Sequence, residues 1–133
     1  MTQAFVDTSA ILALLWKRDT RHARARAAWS ALLARRATLV TTDLVLAESV
    51  ALARSRGGYE LAVTLGERLL GGAFDIVWTT RPLVDGAWAL YRKYRDHDLS
   101  LCDAVSFAVM HARAIRTAFA YDIDFERAGF ELA

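Results

Sequence analysis

Apolar residues along this chain follow two alternating rhythms: short runs of strand character, and longer stretches in which apolar positions recur every three or four residues. The first run closes at Phe5 and Val6. Asp7, Thr8 and Ser9 interrupt it, and residues 10–16 then predict a helix with Lys17 and Arg18 as its cationic last turn. Residues 21–36 predict an amphipathic helix with Ala25, Trp29, Leu32 and Leu33 inward and a basic outer face. Residues 37–42 are short and rich in β-branched side chains, so they predict a second strand. Asp43 then caps a helix over 44–56, closed by Gly57 and Gly58, and a further helix over 59–70 closes at Gly71 and Gly72. Residues 74–78 predict a third strand. Pro82 suits the first turn of a helix that stops at Asp96, His97 and Asp98. Residues 100–115 predict the next helix, 117–121 a fourth strand, 122–125 a turn or short helix, and 130–132 a small edge strand. Strands alternating with helices predict an α/β fold of three layers, a mainly parallel sheet of four to five strands flanked by helices.

Composition narrows the class. The chain has 133 residues, 55% of them hydrophobic, which is enough for one domain over 1–133 with a real core and too little for two. The apolar run at 10–16 is far shorter than a bilayer requires, and the start lacks the pattern of a signal peptide, so a soluble, cytoplasmic protein is expected. The single cysteine, Cys102, excludes an internal disulfide and has no zinc-type companions. The net charge of +2 hides a division: 15 of the 17 basic residues are arginine, a side chain suited to phosphate. Setting four clustered acids aside leaves a basic body around an acidic pocket, a distribution that suits a nucleic-acid substrate.

Four carboxylates carry the candidate chemistry. Asp7 and Asp122 each follow directly on a predicted strand, at the carboxyl edge where open α/β sheets place their ligands. Glu48 shares a helix face with Leu44, Val45, Ala51 and Leu52. Asp103 lines up with Phe107 and Met110, with Ser106 one turn on. Each has an ordinary reading as well: Asp7, Thr8 or Ser9 as a helix cap, Asp103 within a capping box begun by Ser100, Glu48 in a buried ion pair with an arginine, Asp122 in a turn. For the first, the hydroxyls of Thr8 and Ser9 are expected to serve the helix start and leave the Asp7 carboxylate free. Asp124 reads as a second turn acid and His111 as a helix-surface imidazole. Together the four acids can converge on one crevice, where their mutual repulsion would call for a cation. Oxygen ligands select Mg²⁺ or Mn²⁺, and such a site supports phosphodiester hydrolysis.

Four segments, Phe5-Val6-Asp7-Thr8-Ser9, Thr42-Asp43-Leu44-Val45-Leu46-Ala47-Glu48, Leu99-Ser100-Leu101-Cys102-Asp103-Ala104-Val105-Ser106 and Ala118-Phe119-Ala120-Tyr121-Asp122-Ile123-Asp124-Phe125, span nearly the whole chain. In that order the chain resembles the PIN-domain ribonucleases of the VapC toxin type. The resemblance implies that Asp7, Glu48, Asp103 and Asp122 are the acidic quartet holding Mg²⁺ or Mn²⁺, with Asp7 and Asp103 as direct ligands. Ser9 would be the small polar partner of the first acid, and Ser106 and Asp124 would support the site. Ala120 departs from the family, which often has Thr or Ser there, so Asp124 becomes a candidate substitute for a looser Asp122. The resemblance further implies a homodimer, a cognate VapB-like antitoxin, and cleavage of a tRNA, rRNA or mRNA. Arg18, Arg21, Arg54 and Arg56 are the candidate RNA contacts. A housekeeping PIN nuclease, or a catalytically weak PIN module that binds RNA or a partner protein, is the alternative. A haloacid dehalogenase-type phosphatase is disfavoured, because position 9 is Ser where that chemistry needs a second Asp.

Overall fold

The computed structural model describes residues 2–133. Strands β1 (Gln3–Val6), β2 (Thr38–Thr42), β3 (Asp75–Val77), β4 (Thr117–Phe119) and β5 (Glu131–Leu132) form one sheet in the order β3-β2-β1-β4-β5, with every pairing parallel. The helices are α1 (Thr8–Leu15), α2 (His22–Ala34), α3 (Asp43–Gly57), α4 (Tyr59–Leu70), α5 (Arg81–Lys93), α6 (Leu101–Ala112) and α7 (Ile123–Arg127). The first three strands march outward from β1, and the chain then crosses back to place β4 on the other side of β1. Right-handed crossovers in opposite directions put helices on both faces of the sheet. They also leave a switch point between β1 and β4, where a crevice opens beyond the carboxyl ends of the strands.

The core fixes that edge. Phe5, Val6, Val40, Ala118 and Phe119 are fully buried in the strands, as expected of a sheet covered on both faces. Phe125 on α7 is also fully buried, stacked 6.3 Å from Phe5 and edge-on to Phe107 at 4.9 Å. Burying such a ring contributes roughly 2–3 kcal/mol. It anchors the segment that carries Asp122 and Asp124, although α7 has only five residues.

Several element ends differ from the sequence pattern. Helix α1 begins at Thr8 and ends at Leu15, so Lys17 and Arg18 lie beyond it. In α2, Ala25 and Leu32 are buried, but Leu33 is half exposed rather than inward. Thr42, not Asp43, caps α3: its hydroxyl accepts from Val45 N–H at 3.1 Å, while Asp43 reaches across to accept from the Thr79 amide and hydroxyl. Strands β3 and β4 are shorter than the apolar runs around them, and Trp78 falls outside β3, exposed. Helix α5 stops at Lys93. Helices α2 and α6 end early because Arg36 and Ala114 adopt φ of 53°, and the amides of Ala37 and Ile115 close back onto Leu32 and Met110 carbonyls. That closure is the six-to-one bond of a Schellman ending.

Candidate active site

The crevice at the switch point is lined by Asp7, Glu48, Asp103 and Asp122, together with Thr8, Ser9, Asp19, Arg21, Arg56 and Ser100. Its volume is about 330 Å³. All four acids singled out in the sequence therefore face one cavity. The closest grouping is not the quartet itself, however. Carboxylate oxygens of Asp103, Asp122 and Asp124 lie within 4.8 Å of one another, so Asp124 is drawn into the cluster more tightly than a simple turn acid would be.

Each acid is placed by local chain chemistry. Asp7 leaves β1 in an extended conformation, and its amide bonds the Phe119 carbonyl of β4. Its Oδ2 accepts from the Ser9 hydroxyl at 2.8 Å and the Ser9 amide at 3.2 Å, so Asp7 itself caps α1. The capping role does not fall to Thr8 or Ser9, and the buried Thr8 hydroxyl has no hydrogen-bond partner. The Ser9 hydroxyl also accepts from the Tyr121 amide at 2.9 Å, which ties the acid after β1 to the chain leaving β4. Asp103 takes part in a capping box with Ser100, accepting at Oδ2 from the Ser100 amide at 3.3 Å. Asp122 caps α7, accepting from the Asp124 amide at 2.9 Å. That bond holds Asp122 in place without a hydroxyl at position 120, where Ala120 is buried. Glu48 is half-buried beside the buried row Val45, Ser49 and Ala53 of α3, and Ala51 is exposed rather than sharing an inward face with it.

The electrostatics are those of crowded acids without a counter-ion. Among the described residues no arginine, lysine or histidine lies within salt-bridge distance of Asp7, Glu48, Asp103 or Asp122, so the expected alternative of an arginine partner for Glu48 is absent there. Burial pushes Asp7 up from 3.8 to about 6; its bonds from Ser9 and Thr8 pull it down, and the Glu48 charge adds to the rise. Burial, then the Asp7 charge, raises Asp103 from 3.8 to about 7, opposed by the Ser100 amide. Cys102 lies among the same charges. Burial first, then Glu48, Asp7 and Asp103, push its thiol far above its ordinary range, which keeps it protonated and unsuited to nucleophilic attack. Asp124 differs, with His97 and Arg127 each 3.8 Å from its carboxylate. The oxygen donors of the quartet, which have no basic partner among the described residues and sit next to an orphaned hydroxyl, match the needs of a hard divalent cation.

Not every sequence candidate joins the crevice. Arg21 and Arg56 line it, but Arg18 is exposed outside it and the Arg54 guanidinium packs over the Tyr59 ring. Ser106 donates to the Cys102 carbonyl at 3.0 Å, a bond within its own helix, and supports no acid directly. Residues not singled out for the site in the sequence also matter. Arg24 joins Arg21 over the Tyr121 ring, at 4.9 and 5.0 Å, and the His97 ring lies 3.8 Å from Asp124. Spacing offers no signal for Arg24 or His97, since both depend on which segments meet at the sheet edge.

Comparison with known proteins places this geometry. A family model described as PIN domain matches residues 4–131. The chain is 34% identical over 126 residues to the 23S rRNA-specific endonuclease VapC20 of Mycobacterium tuberculosis, covering 95% of this chain and 94% of that protein. The crystal structure of M. tuberculosis VapC20, described as a sarcin-ricin loop cleaving toxin, superposes with a TM-score of 0.88 at 32% identity, covering 96% of each chain. The fold is shared more distantly with VapBC2 from Rickettsia felis, solved on promoter DNA, at a TM-score of 0.72, 16% identity and coverage of 99% and 98%. A toxin-antitoxin complex from Klebsiella pneumoniae gives 0.70 at 18% identity, covering 98% and 96%.

Proposed function

The chain belongs to the PIN-domain family, and from that premise we propose that it is an endoribonuclease hydrolysing RNA phosphodiester bonds with Mg²⁺ or Mn²⁺. The observation that carries this reading is the meeting of Asp7, Glu48, Asp103 and Asp122 in one crevice with no basic side chain among the described residues within salt-bridge distance of any of them. These four residues, joined by Asp124, would hold the cation. When bound, it would orient and activate water and offset the charge that builds on the phosphate oxygens. Ser9 holds the Asp7 carboxylate in one orientation through its hydroxyl, and Asp124 does the same for Asp122 through its amide. Arg21 and Arg56, which line the crevice, would receive the flanking phosphates.

The relation to VapC20 makes a ribosomal RNA loop the first substrate class to try, with tRNA and mRNA as comparisons. Unpaired loops are where RNA offers accessible base edges. The toxin character of that relative also supports a cognate antitoxin for this chain, and we carry a homodimer and a cytoplasmic site of action as further parts of the reading. No helix among the described residues is long and apolar enough to cross a membrane. The test is direct. Purified protein should cut end-labelled ribosomal RNA with Mg²⁺ or Mn²⁺ and stop on chelation, and Asp7→Asn should abolish cutting while the fold is kept. Cleavage retained in that variant would overturn the metal-site assignment.

A further inference from the structure

Beyond the acidic crevice, α5 carries a second feature built for nucleic acid. Trp88, Tyr91, Arg92 and Arg95 fall at i, i+3, i+4 and i+7, one face of the helix and its continuation. The Trp88 and Tyr91 rings are stacked, 5.3 Å apart and 13° from parallel, and remain 51% and 39% exposed. An aromatic pair this open gains little from burial in the folded chain. Both rings line a groove of about 610 Å³, together with Arg92, Arg95 and His97. Asp98 is the only acid on its lining, and the contact of Arg95 with Asp96 is long, at 4.0 Å, between two fully solvated side chains, so it leaves the guanidinium available.

The groove adjoins the acidic crevice through neighbouring residues of one segment. Leu99 lines the groove and its neighbour Ser100 lines the crevice, while His97, on the groove wall, lies 3.8 Å from Asp124. We infer that this groove is a base-stacking subsite, in which one unpaired RNA base stacks on the Trp88–Tyr91 pair while Arg92 and Arg95 hold its phosphates, with the scissile bond in the adjoining crevice. The inference rests on the ribonuclease reading above. Stacked aromatics beside arginines are the sequence-tolerant way to hold single-stranded RNA, and they favour an unpaired base because a paired one hides its faces.

The experiment uses the full-length protein under chelation, so that nothing is cut, with fluorescently labelled oligoadenylate and an abasic oligonucleotide of equal length as probes. Trp88→Ala should weaken oligoadenylate binding by about 5- to 30-fold and leave the abasic probe unaffected, with Trp88→Phe restoring most of the loss. Arg95→Ala should weaken both probes and lower the salt slope by about one. With Mg²⁺ present, Trp88→Ala should raise KM for RNA by a similar factor and change kcat by less than about two-fold, because the ring stacks the substrate without touching the reacting atoms. Unchanged oligoadenylate affinity in Trp88→Ala would overturn the subsite, and so would an equal loss for the abasic probe. A change from dimer to monomer in sedimentation with RNA affinity intact would also overturn it, marking the face as a contact between copies of this chain. Stacking-dependent binding by a wild-type protein that cuts no RNA would support the subsite while refuting the ribonuclease reading.

Discussion

Replacing Asp7 with Asn should stabilise the metal-free protein while removing its activity. Asp7 is 4% exposed, and burial lifts its carboxyl from 3.8 to about 6. A tenfold change in an ionisation equilibrium corresponds to about 1.4 kcal/mol, so holding the charged form in the fold at neutral pH costs about 3 kcal/mol as an upper bound. Asn caps helices as well as Asp does, and its carbonyl oxygen can accept the same two bonds from Ser9. Coupling to Glu48 and Asp103 shares the cost among the acids, so a gain of about 1–3 kcal/mol is expected near pH 7.5, or roughly 4–12 °C in Tm. The pH dependence is the sharper test. Between 3.8 and about 6 the folded protein keeps a proton on Asp7 that the unfolded chain has released, so wild-type stability falls as pH rises through that window and stays low above it. The advantage of Asp7→Asn should therefore be about half as large at pH 5 as at pH 7.5. Urea denaturation of both proteins with chelator, at the two pH values, measures this directly. A variant less stable than wild type at both, or a gain that ignores pH, would falsify the assignment of Asp7 as a buried, uncompensated carboxylate.

Further outcomes follow from the same geometry. Ser9→Ala removes the hydroxyl that joins Asp7 to the Tyr121 amide, so it should cost about 1–2 kcal/mol in chemical denaturation and lower kcat by about 10-fold or more, with Ser9→Thr recovering part of the activity. In the proposed metal site, magnesium would have to displace protons from Asp7 and Asp103, whose carboxyls sit at about 6 and about 7, so its affinity should fall as pH drops below 7. Calorimetry in buffers of different ionisation enthalpy should then show proton release on binding at pH 6, and binding without proton release would contradict the raised values. Ala114 occupies a left-handed conformation at the end of α6, so Ala114→Gly should raise stability by about 1 kcal/mol in the same denaturation assay.

Much of the fold was legible because it rests on periodicity. The alternation of strand and helix rhythms gives the parallel α/β sheet, and the acids that break those rhythms, Asp7, Glu48, Asp103 and Asp122, all line the crevice. What periodicity does not contain is the way the chain closes its ends. The stops of α2 and α6 depend on Arg36 and Ala114 adopting positive φ, which neither residue type announces. Asp124 reads as a turn acid until the short helix α7, pinned by Phe125, turns it toward Asp103 and Asp122. Thr42 takes the capping role expected of Asp43, whose carboxylate instead finds a partner, Thr79, 36 positions away. The aromatic row on α5 reads as ordinary helix until the exposure of Trp88 is known.

The order of the sheet carries a consequence for how the protein comes into being. Strand β1 emerges from the ribosome long before its sheet neighbour β4, and Asp122 follows β4 closely. Contacts between segments so distant in sequence form late and slowly, and chains are extended over seconds. A nascent chain that has completed β1, β2 and β3 already carries Asp7 and Glu48 but lacks half of the acidic crevice. The crevice therefore comes together only when β4 docks against β1, so a chain that has not yet released β4 from the ribosome holds no assembled acidic crevice.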